Sequence, residues 1–359
     1  MGNKTNIKYV GLDVHKSTIS IAVLNEEGKL IMESVIATTR DAILSFIQGL
    51  SGTVQLTFEE GNYSAWLYPL LRPRVSKLIV CNPRKNALLK SGNKSDRIDA
   101  RKLAELLRLG QLSSVYHGDH GLGTLKELAR TYATLTQDTT RMMSRLSALY
   151  RSRAIPHPGR TLYTRKRRSQ WLTLLPAHPK GLRLRAESLF EQLELTQQLR
   201  RQARAQLLAE SRKQPASTLL PTIPSIGPIR TALLIARMQT PHRFRTKRQL
   251  WQYCGLGLET RTSSEYGIVE GQIQRRKKPV LVKGLNFDHN HEMKEIFKST
   301  ATAASAKPGP LRDYYLWLTN HMEPDMARLT LARKIAAIAL AIWKKGERFN
   351  PSYLNRPTA

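Results

Sequence analysis

Acidic side chains are scarce in this chain: 27 Asp and Glu stand against 58 Lys and Arg, for a formal charge of +31 across 359 residues. A globule with that excess repels itself unless a polyanion neutralises it, so nucleic acid is the expected partner. Cysteine is nearly absent. Cys81 and Cys254 lie far apart in sequence, which supports neither a disulfide framework nor a CxxC zinc site and suits a reducing, cytoplasmic setting. Long hydrophobic runs are missing too. No stretch approaches eighteen uninterrupted apolar residues and the polar, basic start is not followed by an apolar segment, so no membrane partner and no export signal are expected.

The length calls for more than one folding unit. Residues 1–115 carry 16 basic and 10 acidic side chains, residues 116–220 carry 19 and 7, and the remainder holds the rest of the excess. The least basic third suits a domain that holds cations on carboxylates, and the others suit phosphate-contacting surfaces. We therefore expect a catalytic domain over 1–115, a basic helical or coiled-coil arm over 116–215, and a mainly helical domain over 216–359.

Alternation and turn residues predict strands at Ile7–Asp13, Thr18–Leu24, Leu30–Val35, Val54–Glu59 and Lys77–Cys81. A turn at Glu26, Glu27 and Gly28 separates the second and third. Helices are predicted at Asp41–Leu50, opened by an acidic cap, at Ala65–Leu71, and after Asn82 and Pro83, which close the fifth strand, through Leu109. A three-stranded meander followed by alternating units is the connectivity of the α/β RNase-H-like (RuvC-like) fold. Leu and Ala recur at helical spacing over Leu122–Leu149 and Leu182–Glu210, as long exposed helices or a coiled coil require. An apolar helix at Leu329–Trp343 is expected in the C-terminal core.

Four carboxylates stand at element ends. Asp13 closes the first strand and Glu59 the fourth, with Glu60 beside it as the alternative. Asp96 and Asp99 open a helix capped by Ser95. The first and fourth strands are neighbours in this fold, and Asp96 and Asp99, at i and i+3, share a face with Cβ atoms roughly 5–6 Å apart. Converging carboxylates repel unless cations sit among them, and hard oxygen ligands select Mg²⁺ or Mn²⁺. Two such ions roughly 3.5–4 Å apart stabilise the attacking and leaving oxygens of a phosphodiester. That is nuclease or strand-transfer chemistry. The rival reading takes the acids as strand-end and helix-cap residues of a non-catalytic nucleic-acid binder.

Three segments are candidates for phosphate contact. Arg165, Lys166, Arg167 and Arg168 form one basic knot, and Arg275, Arg276, Lys277 and Lys278 another. Gly227 heads an apolar helix in a stretch like a helix-hairpin-helix, where backbone N–H groups grip phosphate without reading sequence.

GLDVHK (Gly11–Lys16), FEEGNY (Phe58–Tyr63), CNP (Cys81–Pro83) and KSDRIDA (Lys94–Ala100), followed by IPSIGPIRTALLIA and CGLGLETRTSS, resemble the DEDD-type insertion-sequence transposases of the IS110 group, relatives of site-specific DNA invertases. Here Glu59 lies two residues before Gly61, one closer than is usual in that family. The segment between Pro83 and Asp96 is also shorter than usual. The resemblance implies a composite site, in which the carboxylate-held metals act with a C-terminal serine that becomes covalently linked to DNA. Matching Cys254-Gly255-Leu256 to the family pattern puts that serine at Ser263, with Ser264 as its alternative. It also implies DNA partners (element ends and target), a noncoding bridge RNA as guide, and homodimers that pair as a tetramer. A Holliday-junction endonuclease using water in place of serine is the nearest alternative.

Overall fold

In the computed structural model, residues 6–85, 95–118, 121–156, 159–261, 266–269, 271–275 and 281–354 are described. The chain forms two units, Met1–Gly118 and Asp119–Ala359.

The first unit runs β1 (Ile7–Val14), β2 (Thr18–Leu24), β3 (Leu30–Ala37), α1 (Arg40–Gln48), β4 (Thr53–Glu59), α2 (Ser64–Leu71), β5 (Lys77–Cys81) and α3 (Asp96–Arg108). Its sheet has the order β3-β2-β1-β4-β5. The first three strands are an antiparallel meander, while β4 joins β1 and β5 joins β4 in parallel. Alternate residues face opposite sides. Val10, Leu12, Ile21, Leu56 and Phe58 belong to one buried cluster with Ile43 and Ile47 of α1 and Leu67 and Leu71 of α2. The other side of the sheet is covered by α3, whose Ala100, Leu103, Ala104 and Leu107 are buried. Arg101 of α3 forms a two-pronged ion pair with Glu33 of β3.

The expected strands are present, β2 and β5 with the expected ends and β1, β3 and β4 with one end shifted by one or two residues, and the starts of α1 and α3 differ. Thr39, not Asp41, caps α1, accepting a hydrogen bond from the Ala42 amide at 3.4 Å. The extended backbone that a cap needs falls at Thr39 (φ −123°, ψ 154°), which leaves Asp41 inside the first turn. The helix expected after Pro83 begins, as α3, only at Asp96; residues 82–85 form a turn, and residues 86–94 lie outside the described residues.

The second unit opens with two long helices, α4 (Gly123–Arg151) and α6 (Gly181–Ser211), linked through the short α5 (Arg168–Thr173). Leu125 and Ala129 at the start of α4 share a cluster with Leu207 near the end of α6, so the helices run antiparallel. At their far end Leu146, Leu149 and Tyr150 pack with Trp171, Ala186, Leu189 and Phe190 as a separate core. The arm thus has its root in the C-terminal core and a small core of its own at the tip. Burial pushes the Tyr150 hydroxyl up to about 12.

Then come α7 (Ala216–Leu219), α8 (Pro228–Met238), α9 (Lys247–Tyr253), four short strands, α10 (His291–Ala306), α11 (Pro310–Thr319) and α12 (Pro324–Lys345). The apolar C-terminal helix is the centre of this core: Leu331, Ile335, Ala339 and Ile342 of α12 are buried, and the helix packs on α9, α10 and α11. The strands β6 (Leu258–Arg261), β7 (Tyr266–Val269), β8 (Gln272–Arg275) and β9 (Leu281–Leu285) make two two-stranded sheets, β6-β9 and β7-β8. Each spans four or five residues, too short for alternation to stand out in a polar, Ser/Thr-rich stretch. Both cysteines are buried and unbridged. Among the described residues no helix is long and apolar enough to cross a membrane.

Candidate metal centre

Two features of the first unit bring carboxylates together. On β1 the residues opposite Val10 and Leu12 are Gly11 and Asp13, on the side where α3 lies. A Cβ at Gly11 would sit 2.2 Å from the Ala100 carbonyl oxygen and 2.6 Å from the Ala104 amide nitrogen, so α3 can press on β1 only because this residue has no side chain. Ser95 fixes where α3 starts. Its hydroxyl accepts from the Ile98 amide at 3.3 Å, which sets Asp96 and Asp99 in the first turn. The C-terminal end of β1 and the N-terminal turn of α3 therefore meet.

At the meeting point His15 Nε2 lies 3.0 Å from Asp13 Oδ2 and 3.6 Å from Asp96 Oδ1. One potential ligand atom from each of Asp13, His15 and Asp96 falls within 4.8 Å of the others. The Asp13 side chain is 20 % exposed, against 50 % for His15 and 61 % for Asp96. Burial raises the Asp13 carboxyl above the usual range, the His15 hydrogen bond works against that, and the negative charges of Asp96 and Asp99 add to it. The same hydrogen bond raises the His15 imidazole.

Asp99 completes the helix face. Its Oδ1 is buried and accepts no hydrogen bond among the described residues. Lys102 Nζ stands 3.9 Å away, a Coulombic contact longer than a hydrogen bond. A buried carboxylate oxygen with no donor is a costly arrangement for a protein alone and an ordinary one for a cation ligand. Asp13, His15 and Asp96 are the residues whose ligand atoms converge closely enough to hold a divalent ion, and Asp99 stands outside that group.

The two glutamates separate. Leu12 pairs with Phe58 in the parallel register and Glu59 is the next residue of β4, so its backbone lies beside that of Asp13. Strand alternation turns Glu59 to the side opposite Phe58, the side of Gly11 and Asp13. Glu60 is engaged elsewhere: its Oε2 is 2.6 Å from His117 Nε2. The His117 ring stacks on Tyr68 at 4.7 Å, and the Tyr68 hydroxyl donates to the His117 carbonyl at 3.0 Å. Sequence reasoning passed over His15 as a member of the cluster and His117 as the partner of Glu60. His15 had a signal, a histidine two residues after a strand-end aspartate. His117 had none, since a loop and a helix separate it from β5.

The basic candidates divide as well. Arg165 is ion-paired with Glu194 at 2.9 Å and Arg168 with Glu191 at 3.2 Å, and the Arg168 guanidinium lies 5.7 Å from the centre of the Phe190 ring. Both pairs lie within the arm; Arg165, Lys166 and Arg167 are exposed and Arg168 is half-buried. Gly227 is the N-cap of α8 with Pro228 in the first turn, so the residue after the turn brings no N–H to a phosphate. Arg275 ends β8. Arg276, Lys277 and Lys278 lie outside the described residues, as do Ser263 and Ser264.

Residues 10–152 match a DEDD-type IS110 family model described as a transposase. Residues 217–315 match a second model, described as the transposase IS116/IS110/IS902 family. The first span contains Asp13, Glu59, Asp96 and Asp99, and the second contains Ser263. A DEDD transposase domain implies the RNase-H-like fold, with which the mixed sheet of the first unit agrees. No curated protein matches the chain.

Proposed function

Because this chain carries the transposase domains of the IS110 family and is thereby a DNA transposase or recombinase, we propose that it cleaves and rejoins strands with two sets of residues. Asp13, Glu59, Asp96 and Asp99 hold Mg²⁺ or Mn²⁺, and Ser263 is the nucleophile. The observation that carries the metal site is the approach of Asp13 to Asp96 within 4.8 Å, supported by the buried, donorless oxygen of Asp99. Divalent ions held there would neutralise phosphate charge and ease deprotonation of the attacking hydroxyl.

His15 hydrogen-bonds Asp13 and holds its carboxylate in place. Ser263 Oγ bonds to phosphorus as the phosphorus–sugar oxygen bond opens, and the hydroxyl proton goes to the departing sugar oxygen. The resulting phosphoserine ester keeps the energy of the phosphodiester, so the strand is joined to a new partner without ATP. Water in place of serine would lose that energy. In this reading the protein binds element ends and target DNA as dimers that pair as a tetramer, and a noncoding bridge RNA chooses the sites. The family resemblance and the charge of +31 support those partners.

The test is a denaturing gel of protein, flanking-sequence RNA and element-end DNA incubated with Mg²⁺. We expect a protein-linked DNA band that disappears in Ser263→Ala. Asp13→Asn is expected to lower cleavage at least about 100-fold with binding retained. Cleaved DNA without an adduct, unchanged in Ser263→Ala, would instead assign a water-using junction endonuclease. DNA binding with no Mg²⁺-dependent cleavage would assign a non-catalytic binder.

A further inference from the structure

The strands β7 and β8 form a two-stranded ribbon with large apolar side chains in solvent. Ile268 is 74 % exposed, Ile273 77 % and Tyr266 61 %. Ile268 pairs with Ile273 across the ribbon and Tyr266 lies two residues before Ile268, so all three project from the same face. Gly271, at φ +76°, turns the chain tightly before Gln272. A two-stranded ribbon is marginal by itself in water, and an exposed isoleucine pair on one marks a docking surface. Leu258 and Phe287, at 42 % and 86 % exposure, flank the same region.

Charge decides what docks there. Residues 258–287 contain Arg261, Arg275, Arg276, Lys277, Lys278 and Lys283 against Glu259, Glu265 and Glu270, six basic side chains to three acidic, in a chain of net charge +31. The same segment of a second copy would meet like charge here, whereas duplex DNA would meet opposite charge. The dimensions agree, because a two-stranded ribbon enters a DNA groove and apolar side chains on such an element wedge between base steps.

We propose that the β7–β8 ribbon is a DNA-docking element whose Ile268–Ile273 pair, with Tyr266 beside it, seats against base steps of the duplex. The inference rests on the proposed function only in taking DNA as the substrate. It names apolar contacts in addition to the basic ones already considered.

The test reads binding apart from cleavage. The full-length protein, in EDTA, is titrated against a short DNA duplex carrying aminopurine at successive steps. Wild type is expected to bind and to raise aminopurine fluorescence as a step unstacks. Ile268→Thr/Ile273→Thr keeps β-branched residues in the strands and is expected to bind about tenfold more weakly, without the fluorescence rise and with unchanged thermal melting. Equal affinity and an equal rise in the variant would overturn the proposal, as would a wild-type protein that does not bind the duplex. Loss of self-association in the variant with DNA affinity intact would overturn it in favour of an interface between copies. Absence of Mg²⁺-dependent cleavage, with these binding results as expected, would remove the enzymatic reading and leave the docking surface standing.

Discussion

At Gly11 a methyl group would lie 2.2 Å from the Ala100 carbonyl oxygen, and neither backbone can move aside without separating α3 from β1. Gly11→Ala is expected to destabilise the first unit by about 1–3 kcal/mol, read as a fall of several degrees in melting temperature. Gly61→Ala serves as the control, since the nearest atom its Cβ would meet is 4.0 Å away. Equal melting of the two variants would show that the approach of α3 is not held by Gly11. Asp13 and Asp96 were legible as residues, because each is an acid at the end of a periodic segment. Their company was not. His15 entered the cluster through a 3.0 Å contact with Asp13 and Glu60 left it through a 2.6 Å contact with His117, and side-chain contacts of that kind leave no periodic trace.

Among the elements, α3 carries the most chemistry per turn. Ser95 holds the turn that presents Asp96 and Asp99, so Ser95→Ala is expected to cost about 1 kcal/mol. Fraying of that turn should also weaken Mn²⁺ binding, measured by titration calorimetry, by severalfold more than the small melting shift suggests. Unchanged Mn²⁺ affinity would mean that the cap does not position the acids. The helices α4, α6 and α12 were readable because Leu and Ala repeat over many turns and the signal accumulates. The ribbon β7–β8 was not, because four-residue strands give alternation too little length to rise above a polar background. The cap of α1 fell at Thr39 instead of Asp41 because either side chain can cap, and the backbone angles choose between them.

For the whole molecule, the charge of +31 predicts binding to DNA governed by counterion release. Affinity for a random duplex, measured by fluorescence anisotropy, is expected to fall on the order of a thousandfold between about 50 mM and 200 mM salt. A nearly flat salt dependence would mean that the basic surfaces are occupied within the protein itself, as Arg168 is by Glu191. The sequence by itself determined the polyanion partner, the order of strands and helices in the first unit, and the carboxylates available to a metal, because charge, periodicity and element ends are local properties of a chain. Only the tertiary structure decided that α3 lies on Gly11, that His15 stands between Asp13 and Asp96, and that isoleucines of the ribbon face solvent. Those facts depend on which surfaces pack against which, and packing is settled between residues distant in sequence.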